Sequence, residues 1–305
     1  MQMTHDVSAL ITENTSIVLA PERPRTRVWE LDFLRGVCII LMMLDHLAML
    51  VAFVFGPAWF GRYLVGDSAT AEFCRWCDWF FFDSEARQVL HPLVVSVFFI
   101  ISGISCTFSR SNFRRGGILA ALAIVYSLVT YALAEFLSMP DIIVNFGVLH
   151  FYAVCILAYA AIDLICRRSE LARSAVCVAV VLVVVFVYFF YTPPADTPTW
   201  LGIVFPPEDF RGNPSLFYDQ ADLSPGDLFS LIPNAASFFA GTVLGPLLYA
   251  RRCSLFPFLD GKWNIPFNFV GKHSLWFFIL HLPVLALALA VVSALFVSPG
   301  NWVLF

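Results

Sequence analysis

Two neighbouring side chains near the start of the sequence, Asp45 and His46, are able to do acid–base or nucleophilic chemistry. They stand where such groups are costly. They interrupt an apolar run over residues 36–55, and about twenty such residues are enough for a helix to cross the hydrocarbon core of a bilayer. A carboxylate at that depth costs roughly 3 kcal/mol on insertion scales, so it must face a protein interior or a watery cavity. A neutral imidazole there can take a proton from an amine or hydroxyl, or attack a carbonyl itself. A carboxylate within reach can fix its tautomer and stabilise the imidazolium. At about 100° per residue, Arg35, Met42, His46, Met49 and Phe53 share one stripe of the helix, with Asp32 about 40° off it. Asp45 lies on a neighbouring face, so Asp32, Glu135 or another span could equally supply the carboxylate. His46, Asp45 and Asp32 form the candidate catalytic set.

The other polar groups at membrane depth sort into two sets. His91 stands at the start of the second apolar run, Asn145 and His150 bracket the start of the fourth, and His281 lies two turns into the seventh, ahead of Pro283. These four are candidates for binding a substrate. Arg35, Arg110, Arg114, Arg115 and Lys272 gather at the other ends of the runs and are candidates for holding the phosphates of a bound cofactor. Each has a plainer reading: a histidine at a helix end is commonly a hydrogen-bonded structural residue, and arginines beside a span commonly signal topology. Among eight cysteines, Cys74 and Cys77 have a C-x-x-C spacing. A zinc site would want four ligands and no second close pair is present, so no metal is expected. A loop-stapling disulfide and two free thiols both fit. No nucleophile elbow, P-loop or dinucleotide fingerprint is found.

The elements that must hold these residues are membrane helices. Hydrophobic residues make up 60% of the chain and charged residues 13%, and the mean hydropathy is +0.80, far from the roughly 25% charged of a soluble domain. The formal charge of −4 is spread over loops with no basic patch, which excludes a nucleic-acid partner. Seven apolar runs can span, over residues 36–55, 89–108, 118–137, 147–166, 174–192, 229–249 and 274–297. Residues 56–88 are read as a loop with an interfacial helix. Seven prolines break up residues 193–228, so no long helix is expected there. Arginine and lysine clusters before the first span and after the second, fourth and sixth all fall on one side of a seven-span bundle. That side is cytoplasmic by the positive-inside rule, with the N-terminus inside and the C-terminus outside. The expected fold is an all-α bundle of about seven transmembrane helices: a flexible cytoplasmic tail over 1–26, without a secretory leader, and one polytopic domain over 27–305.

Five stretches carry a resemblance: RVWELDFLRGVCIILMMLDHL (27–47), FFIISGISCTFSRSNFRRG (98–116), FGVLHFYAVCILAY (146–159), FFAGTVLGPLLY (238–249) and GKHSLWFFILHLPV (271–284). In this order they resemble the bacterial members of the heparan-alpha-glucosaminide N-acetyltransferase catalytic-domain family, within a wider transmembrane acyltransferase superfamily. The resemblance implies transfer of an acetyl or other acyl group from cytoplasmic acyl-CoA to an amine or hydroxyl of a sugar or glycan outside an inner cell membrane. It implies that the first-span histidine, here His46, is catalytic, and it is compatible with a homodimer. It implies too that the cations at the inner ends are candidates for the acyl-CoA phosphates and the four polar residues for the acceptor. Lys272, Phe277, Phe278 and Leu282 stand where many relatives have Arg, Ile, Tyr and Gln. A transporter or flippase using the same polar cavity is the alternative class; paired broken helices would mark it, and none are read.

Overall fold

In the computed structural model, residues 28–191, 199–205, 224 and 226–297 are described. Among them no strand occurs. The chain forms α1 (Trp29–Leu50), α2 (Gly56–Phe60), α3 (Ala69–Phe82), α4 (Glu85–Thr107), α5 (Asn112–Leu137), α6 (Val148–Ile165), α7 (Glu170–Phe190), α8 (Leu231–Leu248), α9 (Ile265–Lys272) and α10 (Ser274–Val292). Seven helical stretches are long and apolar enough to cross a membrane. α1 runs through a π-helical turn, Val51–Phe55, straight into α2, so the first span is one helix of 32 residues, Trp29–Phe60. The protein is a multi-pass membrane protein.

Serine caps explain why several spans start earlier than hydropathy alone predicts. Ser84, Ser111 and Ser169 accept hydrogen bonds from Arg87, Arg114 and Ala172 backbone N–H groups at 3.4, 3.4 and 3.1 Å. Each begins a helix by satisfying one of its orphan donors. The polar first turns are therefore helical, and α5 starts at Asn112 rather than 118. The stretch 56–88, expected to be mainly loop, is mostly helix: α2, then α3 capped by Ser68. Of the proline-rich stretch, residues 193–198, 206–223 and 225 lie outside the described residues, as do residues 1–27.

Glycines set how closely the spans approach. A Cβ on Gly36 of α1 would collide with the Phe267 carbonyl of α9, and one on Gly271 would collide with the Asp32 carbonyl of α1. Gly103 of α4 and Gly241 of α8 stand in the same relation to the Phe238 and Ile100 carbonyls. Small residues at such crossings let backbones touch, which is how helices associate in lipid, where apolar surface alone supplies no drive. Around the second crossing, Phe99, Phe151, Tyr152, Phe238 and Phe239 form an aromatic core between α4, α6 and α8. Near the first crossing, Trp29 stacks edge-on with Trp263 at 6.2 Å. Glu30 accepts from the Leu255 N–H at 2.6 Å, tying the loop after α8 to α1.

Candidate active site

The glycine crossing fixes the register of the site. Gly36 and His46 are ten residues apart on α1, as are Gly271 and His281 on α9 and α10. Starting from their contact, the two segments run about 15 Å in the same direction. They bring the His46 and His281 rings together edge-on, with centroids 4.8 Å apart. His46 Nδ1 lies 2.9 Å from the Met42 carbonyl and His281 Nδ1 lies 2.6 Å from the Phe278 carbonyl. A carbonyl only accepts, so in each ring Nδ1 carries the proton and donates it, and Nε2 of the neutral ring is left with its lone pair. Nε2 of His281 is buried and without a hydrogen-bond partner. The pair thus presents nitrogen lone pairs at membrane depth, as a base or nucleophile requires.

Asp45 does not serve His46. It takes a bidentate pair from Arg87 of α4, Nε to Oδ1 at 2.6 Å and Nη2 to Oδ2 at 3.1 Å. Arg87 Nη1 donates to the Phe81 carbonyl at 3.0 Å, and its guanidinium lies 3.7 Å over the Phe81 ring. His91, one turn further along α4, lies within electrostatic range of Asp45, Arg87 and His46. Sequence reasoning passed over Arg87, which stood as one of several charges between 56 and 88. The signal was there: a carboxylate at membrane depth needs a cation, and Arg87 sits one helical turn before His91.

At the other end of α1 a cavity of about 1020 Å³ opens among α1, α4, α5, α6, α9 and α10. Arg35, Arg110, Arg114, Arg115 and Lys272 all line it, joined by Arg252, which the sequence reading took only as a topology signal. Asp32 lines it too, paired with Arg35 at 3.1 Å. This carboxylate is therefore about 21 Å along α1 from His46, fourteen residues away. Arg35 also donates to Ser105 at 2.6 Å. The N-terminus of α5, with Ser111 and both its arginines, points at the same space, and helix N-termini favour phosphate. The cavity reaches Ser102, Tyr152 and Phe278, and Phe278 is the residue whose carbonyl holds His281. The cation-lined cavity thus comes within one helical turn of His281 along α10.

Asn145 and His150 stand apart from this constellation. His150 Nδ1 accepts from the Gly147 N–H at 3.3 Å, so its proton is on Nε2, 3.2 Å from the Ser127 hydroxyl. With that tautomer His150 cannot take a proton from Ser127, and it caps α6. The Asn145 N–H bonds Ser224 at 2.9 Å, and the Val148 N–H bonds Asp227 at 3.0 Å. Burial pushes the Asp227 carboxyl up to about 7. Glu135 is exposed. Cys74 and Cys77 are buried free thiols, and burial raises both. Among the described residues no group of His, Cys, Asp or Glu is arranged to hold a metal.

Searches of curated proteins and of solved structures find no match. A family model does match, over residues 69–283, and its description is heparan-alpha-glucosaminide N-acetyltransferase, catalytic. The match takes in Arg87, His91, the Arg110–Arg115 turn, Lys272 and His281, and it begins after α1. With most of the chain matched, the chain belongs to the heparan-alpha-glucosaminide N-acetyltransferase catalytic-domain family.

Proposed function

We propose that this protein, a membrane acetyltransferase by family, takes its acyl group from acyl-CoA at the basic end and passes it to an amine or hydroxyl of a sugar at the opposite end. The basic end faces the cytoplasm, in keeping with its excess of Arg and Lys, and the membrane is the inner cell membrane. The observation that carries the reading is one cavity with six cations at its mouth, whose lining includes Phe278, one helical turn before His281, the histidine whose ring meets that of His46. In the direct version, His46 Nε2 takes the proton of the acceptor as its N or O bonds the acyl carbon. The C–S bond then breaks, and CoA leaves as the thiol with that proton. In the covalent version, His46 Nε2 bonds the acyl carbon and the C–S bond breaks, releasing CoA as the thiolate; the acceptor then bonds the acyl carbon, the bond to Nε2 breaks, and the acceptor's proton passes to the thiolate. His281 and His91 flank the reacting centre.

The test is His46→Ala in the full-length purified protein. The variant should insert and fold, and acyl transfer should fall by at least about a hundredfold, the low end for general acid–base catalysis. Labelled acyl-CoA without acceptor should leave label on the wild type and none on the variant if the covalent version operates. No label on either keeps the direct version alone. Near-normal transfer by a folded variant would overturn the role of His46.

A further inference from the structure

Two hydroxyl groups in the wall of the donor cavity have one more proton than they use. Ser102 of α4 and Tyr152 of α6 both line the cavity and are 8% and 7% exposed. Ser102 Oγ donates to the Tyr152 hydroxyl at 3.3 Å. Whichever of the two donates, a pair of hydroxyls sharing one hydrogen bond keeps a second O–H. Among the described residues nothing accepts it. Ser105, one turn along the same face of α4, has no proton to offer. It donates to the Ile101 carbonyl at 2.8 Å and accepts from Arg35 at 2.6 Å. A buried donor left unsatisfied costs more than its hydrogen bond is worth, so the Ser102–Tyr152 pair is built to donate into the cavity.

Its depth indicates the acceptor. Ser102 lies five residues inside the end of α4 at Thr107 and eleven residues from His91, about 7 Å and about 16 Å along the helix. His91 is the α4 residue within electrostatic range of His46, so a carbonyl reacting at His46 is out of reach of the pair. The cations stand on the other side, at the mouth. Between its phosphates and its sulfur, CoA has an arm of apolar groups interrupted by amides. The walls near the pair suit such an arm: Phe98, Leu149, Ile156 and Phe278 are apolar, and an amide carbonyl among them requires a donor. We infer that the Ser102–Tyr152 pair donates its remaining proton to an amide carbonyl of the CoA arm. The pair thereby fixes how far the donor enters, and Tyr152 and Ser102 are positioning residues. This inference rests on the acyl-CoA reading above and deepens it.

The experiment measures binding of two probes to the full-length protein in lipid nanodiscs: CoA, and 3′-phospho-ADP, which is its head without the arm. The wild type should bind CoA more tightly than the head. The variant Ser102→Ala/Tyr152→Phe removes both partners and keeps their shape, which is close to neutral for folding. Its CoA affinity should fall by roughly fivefold to tenfold, the loss of one hydrogen bond, with its affinity for the head unchanged. Should the double variant not fold, Tyr152→Phe alone removes the proton left over in the observed arrangement and permits the same comparison. Unchanged CoA affinity, an equal loss for both probes, or a wild type that binds CoA no better than the head overturns the inference and leaves the acyl-CoA reading standing. A wild type that binds neither probe overturns both.

Discussion

The residue that decides how Asp45 is understood is Arg87. Their side chains are only 16% and 13% exposed, so the pair belongs with buried ion pairs rather than with surface ones worth little. Arg87→Ala would strand the carboxylate and should lower stability by about 3–5 kcal/mol. Adding Asp45→Ala to that variant should restore much of the loss. Thermal unfolding of the detergent-solubilised variants, followed by size-exclusion chromatography, measures both. A double variant no better than the single one would mean that the pair is not coupled. In the sequence, Asp45 and His46 are legible as unusual because each is polar inside an apolar run. Their partners are not legible, because Arg87 and His281 lie 42 and 235 residues away. Adjacent positions on a helix point in different directions, which is why the carboxylate and the imidazole go to different helices.

At the scale of elements, the α1–α9 crossing holds the histidines in register. Gly36→Ala places a methyl group against the Phe267 carbonyl, and relief requires the helices to separate. We expect a loss of about 1–3 kcal/mol, the usual range for overpacking, and a fall in acyl transfer larger than that from an alanine at the exposed Leu41. Transfer and unfolding measured on the same preparations test this; an unaltered rate would show that the crossing does not set the site. The Asp227 contact with the start of α6 gives a pH signature instead. Its folded value near 7 lies above the model-compound value of 3.8, so folding favours the protonated form. The contribution is complete below about 4 and is lost as pH rises through about 7. Asp227→Asn should remove that decline from the pH profile of the melting temperature, and a parallel profile would count against it; Tyr126 is the other titratable group facing the carboxyl. The seven spans are legible from hydropathy alone. Their early starts are not, because a serine cap satisfies the backbone without adding apolar character.

For the whole molecule, the arrangement of cations predicts an orientation. Ser215→Cys, between α7 and α8 in the sequence, should react with an impermeant maleimide on intact cells, whereas exposed Cys253 at the basic end should react only after permeabilisation. The reverse pattern would invert the bundle and place the donor cavity outside. The cation cluster is legible in the sequence as runs flanking the spans. That Arg35, Arg110, Arg114, Arg115 and Lys272 surround one cavity follows from the alternation of seven spans. The addition of Arg252 is a matter of packing, which no periodicity encodes. The C-x-x-C spacing left a disulfide and free thiols open, and on α3 both cysteines are buried free thiols.

The Asp45–Arg87 pair also has a consequence for biosynthesis. Its two members leave the ribosome 42 residues apart, with all of α2 and α3 between them. Until α4 arrives, the first helix enters the membrane with an unneutralised carboxylate that costs roughly 3 kcal/mol there. The first span is thus a conditional anchor: it holds loosely as a nascent segment and is secured only when the fourth helix delivers its arginine. Membrane insertion and tertiary assembly are for this helix a single event.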